Sequence, residues 1–297
     1  MRCDLHVHTD RSGMCTVPLA RRFCRESYND PLALYATLKQ RGMDLVTVTD
    51  HDSIDAVEAL RHFPDFFLSE EITCTLPSGM AVHVGVYDIT ERDHAELQSR
   101  RDDMRGFAAY CREKRILCAV NHVFSALTGS RTYADFALFE DVFPALETIN
   151  GHIPHCCNRE AEALSTLWRK IPLGGSDSHT LAELGRAFTE APGARTRQEF
   201  LEALKAGHVR ARGASGGFRV LTWAVWTIAA NVPREHTWGF LLAPLLLAVP
   251  FATLGASIRD RAFAALWGWR LDAVLRAHDG RRPAKVALTP PVLPDTL

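Results

Sequence analysis

The stretch Met1–Thr9, MRCDLHVHT, alternates apolar and polar residues, and its reading as a first strand sets the terms for the rest of the chain. In an extended chain, side chains two apart share a face. Cys3, Leu5 and Val7 then turn one way, and Asp4, His6 and His8 the other. Two imidazoles on one face near a strand end suit a divalent metal site. The competing reading is a pair of surface histidines.

Working outward, the same pattern returns. A loop, Asp10–Pro18, leads to a helix at about Asp30–Arg41, with Asp30 as its cap and Pro31 in the first turn. Leu45–Thr49 reads as a β-branched strand running into Asp50, His51, Asp52 and Ser53, followed by a helix to about His62. Phe66–Ser69 reads as a strand ending in Glu70 and Glu71, and Ala81–Tyr87 as one carrying His83. One long helix is expected over about Arg92–Lys114. Ile116–Asn121 ends in His122, and Ala145–Asn150 carries Glu147 and leads to Gly151 and His152. A helix at Asn158–Arg169 precedes the strand Ile171–Gly175, which ends in Ser176, Asp177, Ser178 and His179. Thr196 and Gly207 bound a last helix, Arg197–Ala206.

Alternating strands and helices imply βα units, an α/β fold and a mostly parallel sheet. Six or seven strands ending in His, Asp or Glu suit a closed barrel, whose chemistry sits at the strand C-termini. An open doubly wound sheet with a Gly-rich phosphate loop is not favoured, because no such loop is present.

The chain has 297 residues, room for one large α/β domain with an appendage or for two modest domains. A net charge of −1 argues against general attraction of the whole chain to nucleic acid or to a membrane surface, although the last third is rich in Arg and poor in Asp and Glu. The eight cysteines are scattered without a CxxC pair, so free thiols are expected, with Cys156 and Cys157 as a buried pair. Arg2 and Asp4 interrupt any apolar run at the start, so no signal peptide is expected and a reducing cytoplasm is the simplest compartment.

Taken together, His6, His8, His51, Glu71, His83, His122, Asp177 and His179 bring six imidazoles and two carboxylates toward one barrel mouth. Imidazole with carboxylate suits Zn, Mn or Fe. The donors exceed what one tetrahedral ion needs, so two or three divalent metals are expected, with Glu71 as the bridging carboxylate. Clustered metals activate water and clamp phosphate oxygens during in-line displacement.

The ordered motifs DLHVHT, TDHDS, SEEIT, AVHVGVY, NHV and GGSDSH resemble those of the PHP (polymerase and histidinol phosphatase) phosphoesterases, over about residues 1–212. The resemblance implies a distorted, TIM-like β/α barrel of seven strands and hydrolysis of phosphate esters at a di- or trinuclear centre. It implies that His6, His8, Glu71 and Asp177 hold one metal, that Glu71, His83 and His122 hold a second, and that His51 and His179 serve a third. One departure stands out. The family loop after the first strand often reads SDG, its Asp serving the third metal; here it is Ser12-Gly13-Met14, with Asp10 close but offset. The third site is therefore expected to be weak, rebuilt with Asp10, or empty.

Asp4, Asp50 and Asn150 are read as partners that orient the ligands, and Glu70 as solvated. His152 follows a strand end and is the candidate to touch substrate or donate a proton. Arg131, in the loop after His122, is the candidate for a substrate phosphate, although an exposed loop Arg is the commoner case. His62, His94, His155, His208, His236 and His278 read as ordinary surface or packing residues.

Beyond the barrel, Ala211–Gly217, ARGASGG, reads as a linker, and residues 213–279 as an apolar helical appendage. Gly239–Ile258 holds no charge over a length that reaches across a bilayer core, but Pro244 and Pro250 interrupt it. Arginines flank the apolar runs, so residues 218–275 read as inner-membrane contact from the cytoplasmic side, or else as a helical cap or dimer contact. Residues 280–297, rich in Pro, are expected to be disordered. The expected function is phosphoester hydrolysis at a multinuclear His/Asp/Glu centre. The substrate would be a small phosphorylated molecule, with a nucleotide or short oligonucleotide among the choices. A silent barrel binding a phosphorylated ligand, and a related C–N hydrolase, are the alternatives.

Overall fold

A computed structural model of the chain describes residues 1–13 and 24–278. Cys15, the end of the Asp10–Pro18 loop and the tail 280–297 lie outside the described residues.

The strands form two sheets. Five strands, β2 (Ser69–Thr75), β3 (Ala81–Tyr87), β4 (Leu117–Val120), β5 (Ala145–Asn150) and β6 (Ile171–Gly175), lie side by side in that order. β1 (Arg2–Cys3), β7 (Ala187–Glu190) and β8 (Arg210–Gly213) make a second, antiparallel sheet. The five-stranded sheet is mixed: β2, β3 and β4 pair antiparallel, β4, β5 and β6 parallel. The expected mostly parallel sheet gives way because a tight turn joins β2 to β3, with Gly79 at φ +81° and its amide bonded to the Leu76 carbonyl.

The expected strands at Met1–Thr9 and Leu45–Thr49 are not regular strands over those lengths. They run beside their neighbours through isolated bridges, Val7 with Ser178, Val46 with Phe66 and His51 with Glu71. Single backbone bonds add to these, such as Thr49 N to Val7 O at 2.9 Å and Asp177 N to His6 O at 2.7 Å. Side-chain hydrogen bonds interrupt the ladder, as where Thr49 Oγ1 accepts from the Val7 amide at 3.0 Å. Among the described residues the regular ladders are therefore the five-stranded and the three-stranded sheet. The alternation read from MRCDLHVHT nevertheless holds: Cys3, Leu5 and Val7 enter the apolar core, while His6 and His8 face the polar interior.

Helices cover the sheet. α1 (Pro31–Gln40) starts at Asp30, whose carboxylate accepts from the amides of Leu32 and Ala33. α2 (Val57–Leu60) is a single turn, shorter than expected. The long helix expected over Arg92–Lys114 is two, α3 (Glu91–Ser99) and α4 (Met104–Lys114), because Asp103 caps a new start by accepting from the Gly106 amide. α5 (Tyr133–Val142) was not anticipated; Thr132 and Asp135 cap it reciprocally. α6 (His155–Trp168) and α7 (Arg197–Ala206) follow the expected pattern, α6 starting a turn early. One large core lies between the five-stranded sheet and α4, α5 and α6.

The stretch read as a linker contains β8, and the boundary expected after residue 212 falls inside that strand. Beyond it come α8 (Phe218–Ala229), α9 (Val232–Glu235), a 3₁₀ segment (Thr237–Ala248) and α10 (Val249–His278). Ala264, Trp267 and Leu271 of α10 enter the core beside α6. No helix among the described residues is long and apolar enough to cross a membrane. The uncharged run Gly239–Ile258 is split between the 3₁₀ segment and α10, and the rest of α10 carries Arg259, Asp260, Arg261, Arg270 and Asp272.

Candidate metal centre

Backbone pairing brings distant side chains together. The bridge between His51 and Glu71 sets these residues side by side, and that between Val7 and Ser178 does the same for His6, His8, Asp177 and His179. In the β2–β3 pairing Glu71 lies opposite Gly85 and Thr73 opposite His83, so Glu71 and His83 share a face. Gly175 allows the closest approach: a Cβ there would lie 2.3 Å from the Cβ of His6.

Glu71, fully buried, is the hub. Its Oε2 lies 3.2 Å from His6 Nε2, 3.5 Å from His8 Nε2 and 3.2 Å from His51 Nδ1. Its Oε1 lies 3.5 Å from both His83 Nδ1 and His122 Nε2, and accepts from Asn121 Nδ2 at 2.8 Å. Asp177 Oδ1 stands 3.3 Å from His6 Nε2 and 3.4 Å from His8 Nε2. All eight residues expected as ligands therefore converge. Their donor atoms cluster as His6, His8 and Asp177; His6, Glu71 and His122; His51, Glu71 and His83; and His8, His51 and His179, within 4.8 Å in each set. The last of these sets brings His8 toward His51 and His179, a partner the sequence had assigned elsewhere.

The electrostatics follow from this crowding. Burial alone would raise the Glu71 carboxyl, but His6, His51, His83 and His122 outweigh it and hold it well below the usual range. Burial likewise opposes, and His6, His8 and His179 overcome, the shift of Asp177 to well below its ordinary value. Burial pushes the His8 and His83 imidazoles down to about 3, His179 and Glu71 respectively being the next influences. Neutral imidazoles have a lone pair to give, and His8 Nε2 and His83 Nδ1 are buried with no hydrogen-bond partner. Such orphaned nitrogens, facing carboxylates, fit divalent cations.

The supporting residues are more numerous than expected. Glu147 accepts from or bonds His6 Nδ1 at 2.8 Å, and accepts from the His122 amide at 2.8 Å and from Asn150 Nδ2 at 2.9 Å. It fixes which His6 nitrogen faces the centre. Asn150 also donates to Asp177 Oδ2 at 3.0 Å, as a ligand-orienting residue should. Asp4 and Asp50 act differently from expectation. Asp4 accepts from the backbone amides of His6, Ser176 and Gly185, and Asp50 from the amide and hydroxyl of Thr9. They hold the chain that carries the histidines, not the rings. Glu70 is buried, not solvated, bonded to His94 Nδ1 at 2.8 Å and accepting from Gln98 Nε2 at 2.6 Å. His122 and Asp177 adopt positive φ of 30° and 55°, uncommon for residues other than glycine.

The residue missed in the sequence is Glu26. Its carboxylate lies 3.5 Å from His51 Nε2 and 3.7 Å from His179 Nε2. Its amide donates to the Gly13 carbonyl at 3.1 Å, so it arrives beside the position where a carboxylate is lacking. Asp10 instead pairs with Arg11 at 3.3 Å.

A cavity of about 360 Å³ opens over this side of the centre, lined by Ser12, Glu26, His51, Asp52, Thr73, Ala81, His83, Leu127 and Thr128. His152 lies at the opposite flank, its ring 5.7 Å from that of His179 and its donor atoms clustered with Asp177 and His179. Burial lowers its imidazole to about 4, which favours the neutral ring. Arg131 is buried and turned into its own loop, donating to the carbonyls of Thr128 and Ser130. It shapes the wall that holds Thr128 and does not line the cavity.

Comparison with known proteins follows the same line. Residues 157–209 match the family described as PHP-associated. A two-domain protein containing a predicted PHP-like metal-dependent phosphoesterase from Bacteroides vulgatus ATCC 8482 superposes with a TM-score of 0.51 at 18% identity, over 74% of this chain and 68% of its own. PsfC from Pseudomonas syringae PB-5123 superposes with a TM-score of 0.51 at 16% identity, over 82% of this chain and 98% of its own. At such identities the likeness is one of fold. No curated protein sequence matches the chain.

Proposed function

We propose that this chain belongs to the PHP-domain family and that it is a metal-dependent phosphoesterase acting on a small phosphorylated molecule, up to a nucleotide or short oligonucleotide end. We take the segments around His6 and His51, together with β2 to β6, as the seven staves of one distorted barrel. The observation that carries the reading is Glu71: one buried carboxylate with three imidazoles at one oxygen and two at the other. A carboxylate so placed would offer one oxygen to each of two donor sets that could hold cations.

His6, His8, Glu71 and Asp177 would hold one divalent cation, Zn, Mn or Fe, and Glu71, His83 and His122 a second. His51, His179 and Glu26, with His8 adjacent, would hold a third, Glu26 standing where Gly13 offers no carboxylate. Cations bound there supply an activated water near neutral pH and neutralise charge on phosphate oxygens. The protein's own contribution is to fix donor geometry. Glu147 locks His6, Ser12 Oγ bonds His8 Nδ1 at 3.1 Å, and Asn150 steadies Asp177. Thr73, Thr128 and Ser12 offer the substrate hydroxyls at the cavity wall. His152, neutral, offers a ring nitrogen with no protein partner for a substrate oxygen.

The test is elemental analysis of the purified chain with a panel of phosphate mono- and diesters and amides. Two or three metals per chain and turnover of a phosphoester are expected, with Glu71→Gln losing about 10³-fold in kcat together with metal. Bound metal without phosphoester hydrolysis returns the chain to a binding role; amide turnover alone makes it a C–N hydrolase.

A further inference from the structure

The C-terminal layer reverses the usual distribution of apolar residues. On α10, Thr253, Ser257, Ala264, Trp267, Leu271 and Val274 recur at helical spacing and are buried. Phe251, Leu254, Ile258, Leu266 and Trp269 recur at the same spacing on the opposite side and are exposed, Phe251 at 76% and Trp269 at 66%. The 3₁₀ segment beside it exposes Trp238, Phe240, Leu241 and Leu247, and α8 exposes Trp223 and Trp226. Trp226 Nε1 donates to the Leu246 carbonyl at 2.8 Å, and Thr222 and Thr253 share a hydroxyl contact at 2.7 Å, so the three elements form one layer. An apolar face of this extent on a folded chain is a contact surface.

Its borders carry charge of mostly one sign. At about 100° per residue, Arg261 and Asp272 fall along one edge of the exposed stripe of α10 and Arg259 and Arg270 along the other. Arg219 is exposed at the start of α8. Of the acidic groups nearby, Asp260 turns inward to Ser125 Oγ at 3.1 Å and the Ala126 amide at 2.8 Å, and Glu235 is paired with Arg25 at 2.8 Å. Exposed Trp, Phe and Leu framed by Arg are the pattern that settles at the boundary of an anionic bilayer. Spanning is excluded for α10, since its other face is spent on the core beside α6 and no described helix is apolar enough. Isologous pairing with a second copy would bring the Arg edges of two layers together.

We propose that α8, the 3₁₀ segment and α10 form a platform that lies on an anionic lipid surface, with the apolar stripe in the headgroup–acyl boundary and the arginines on the lipid phosphates. The platform is fastened to the metal centre's rim at two places: Asp260 holds the Ser125–Ala126 loop, next to Leu127 of the cavity wall, and Glu235 holds Arg25, next to Glu26. The proposal does not depend on the reaction assigned above.

The full chain is sedimented with vesicles of neutral phosphatidylcholine and with vesicles containing added phosphatidylglycerol, and its lipid-free mass is measured by light scattering. Binding about tenfold tighter to the anionic vesicles is expected, with a blue shift of Trp emission. The double substitution Phe251→Glu with Trp269→Glu lowers that binding about tenfold or more, and Arg259→Gln with Arg261→Gln removes most of the preference for anionic lipid, both with unchanged melting temperature and metal content. Three results overturn the proposal: no binding to either vesicle, equal binding to both, or a lipid-free dimer that Phe251→Glu with Trp269→Glu splits while vesicle binding stays nil.

Discussion

Two regions of this molecule break the burial rule in opposite ways. Around Glu71, ionisable side chains are buried: His6, His8, Asp4, Asp50 and Glu71 itself are at most 1% exposed. On the outer face of the C-terminal layer, large apolar side chains stand in water, Leu247 at 74% and Phe251 at 76%. Buried charge and exposed hydrocarbon are both unfavourable for the chain alone. On the proposals above, each would be offset by something outside the chain, cations in one case and a lipid surface in the other.

The sharpest way to test the contrast lies within one helix. Trp267 and Trp269 are two residues apart on α10, but Trp267 is 2% exposed, packed on Phe136 and Tyr133, while Trp269 is 66% exposed. Trp267→Ala is expected to cost about 3–5 kcal/mol in denaturant unfolding, and Trp269→Ala under about 0.5 kcal/mol. Equal costs would mean that the outer face is packed within the chain. Next in size is removal of metal. Chelation leaves the buried histidines and carboxylates to one another, and a stability loss of about 3 kcal/mol is expected, read as a melting shift that added metal reverses. A melting temperature indifferent to chelator would break the comparison on its polar side.

A smaller effect is expected of Glu147→Gln. The amide cannot hold His6 as the carboxylate does, so metal affinity should fall about 10- to 100-fold while the fold persists, measured by competition with a chromogenic chelator. The smallest effect is set by pH. In metal-free protein Glu26 is held down to about 2 from 4.5, with burial opposing and His51 and His179 prevailing. His179 is raised to about 9 from 6.5, with burial opposing and Glu26 prevailing. The Glu26 contribution is complete above pH 4.5 and is lost as pH falls through 2. The His179 contribution is complete below pH 6.5 and is lost as pH rises through 9. Glu26→Gln should therefore lower the melting temperature of the metal-free protein most between pH 4.5 and 6.5, and progressively less on either side. A pH-independent difference would mean that the carboxylate acts only through packing.

Much of the centre was legible in one dimension because its ligands sit at strand ends, where local pattern and chemistry coincide. His6, His8, His51, His122 and Asp177 could be picked out by position alone. Glu71 and His83 lie within β2 and β3 and not at strand ends, and it is the shared face of the two strands that brings them together. Glu26 left no local sign: no periodic pattern surrounds it in the sequence, and only its bond to Gly13 and its approach to His51 and His179 give it a role. Glu70 was misjudged for a related reason. Its neighbour takes the centre, but His94 and Gln98 from α3 cover Glu70 on the opposite face of the strand. β7 and β8, four residues each, are too short to show a period, and pairing with each other and with β1 makes them strands.

By itself the sequence determined which residues are candidates to hold metal, since alternation along a strand and the donor properties of His, Asp and Glu are local facts. It also determined that the last third is apolar and edged with arginine. Only the tertiary structure decided how the donors divide into sets, that Glu26 joins them, that Arg131 turns away, and which face of α10 is left outside. Those outcomes depend on distances between segments far apart in the chain, and such distances exist only once backbone pairing and core packing have brought the segments together.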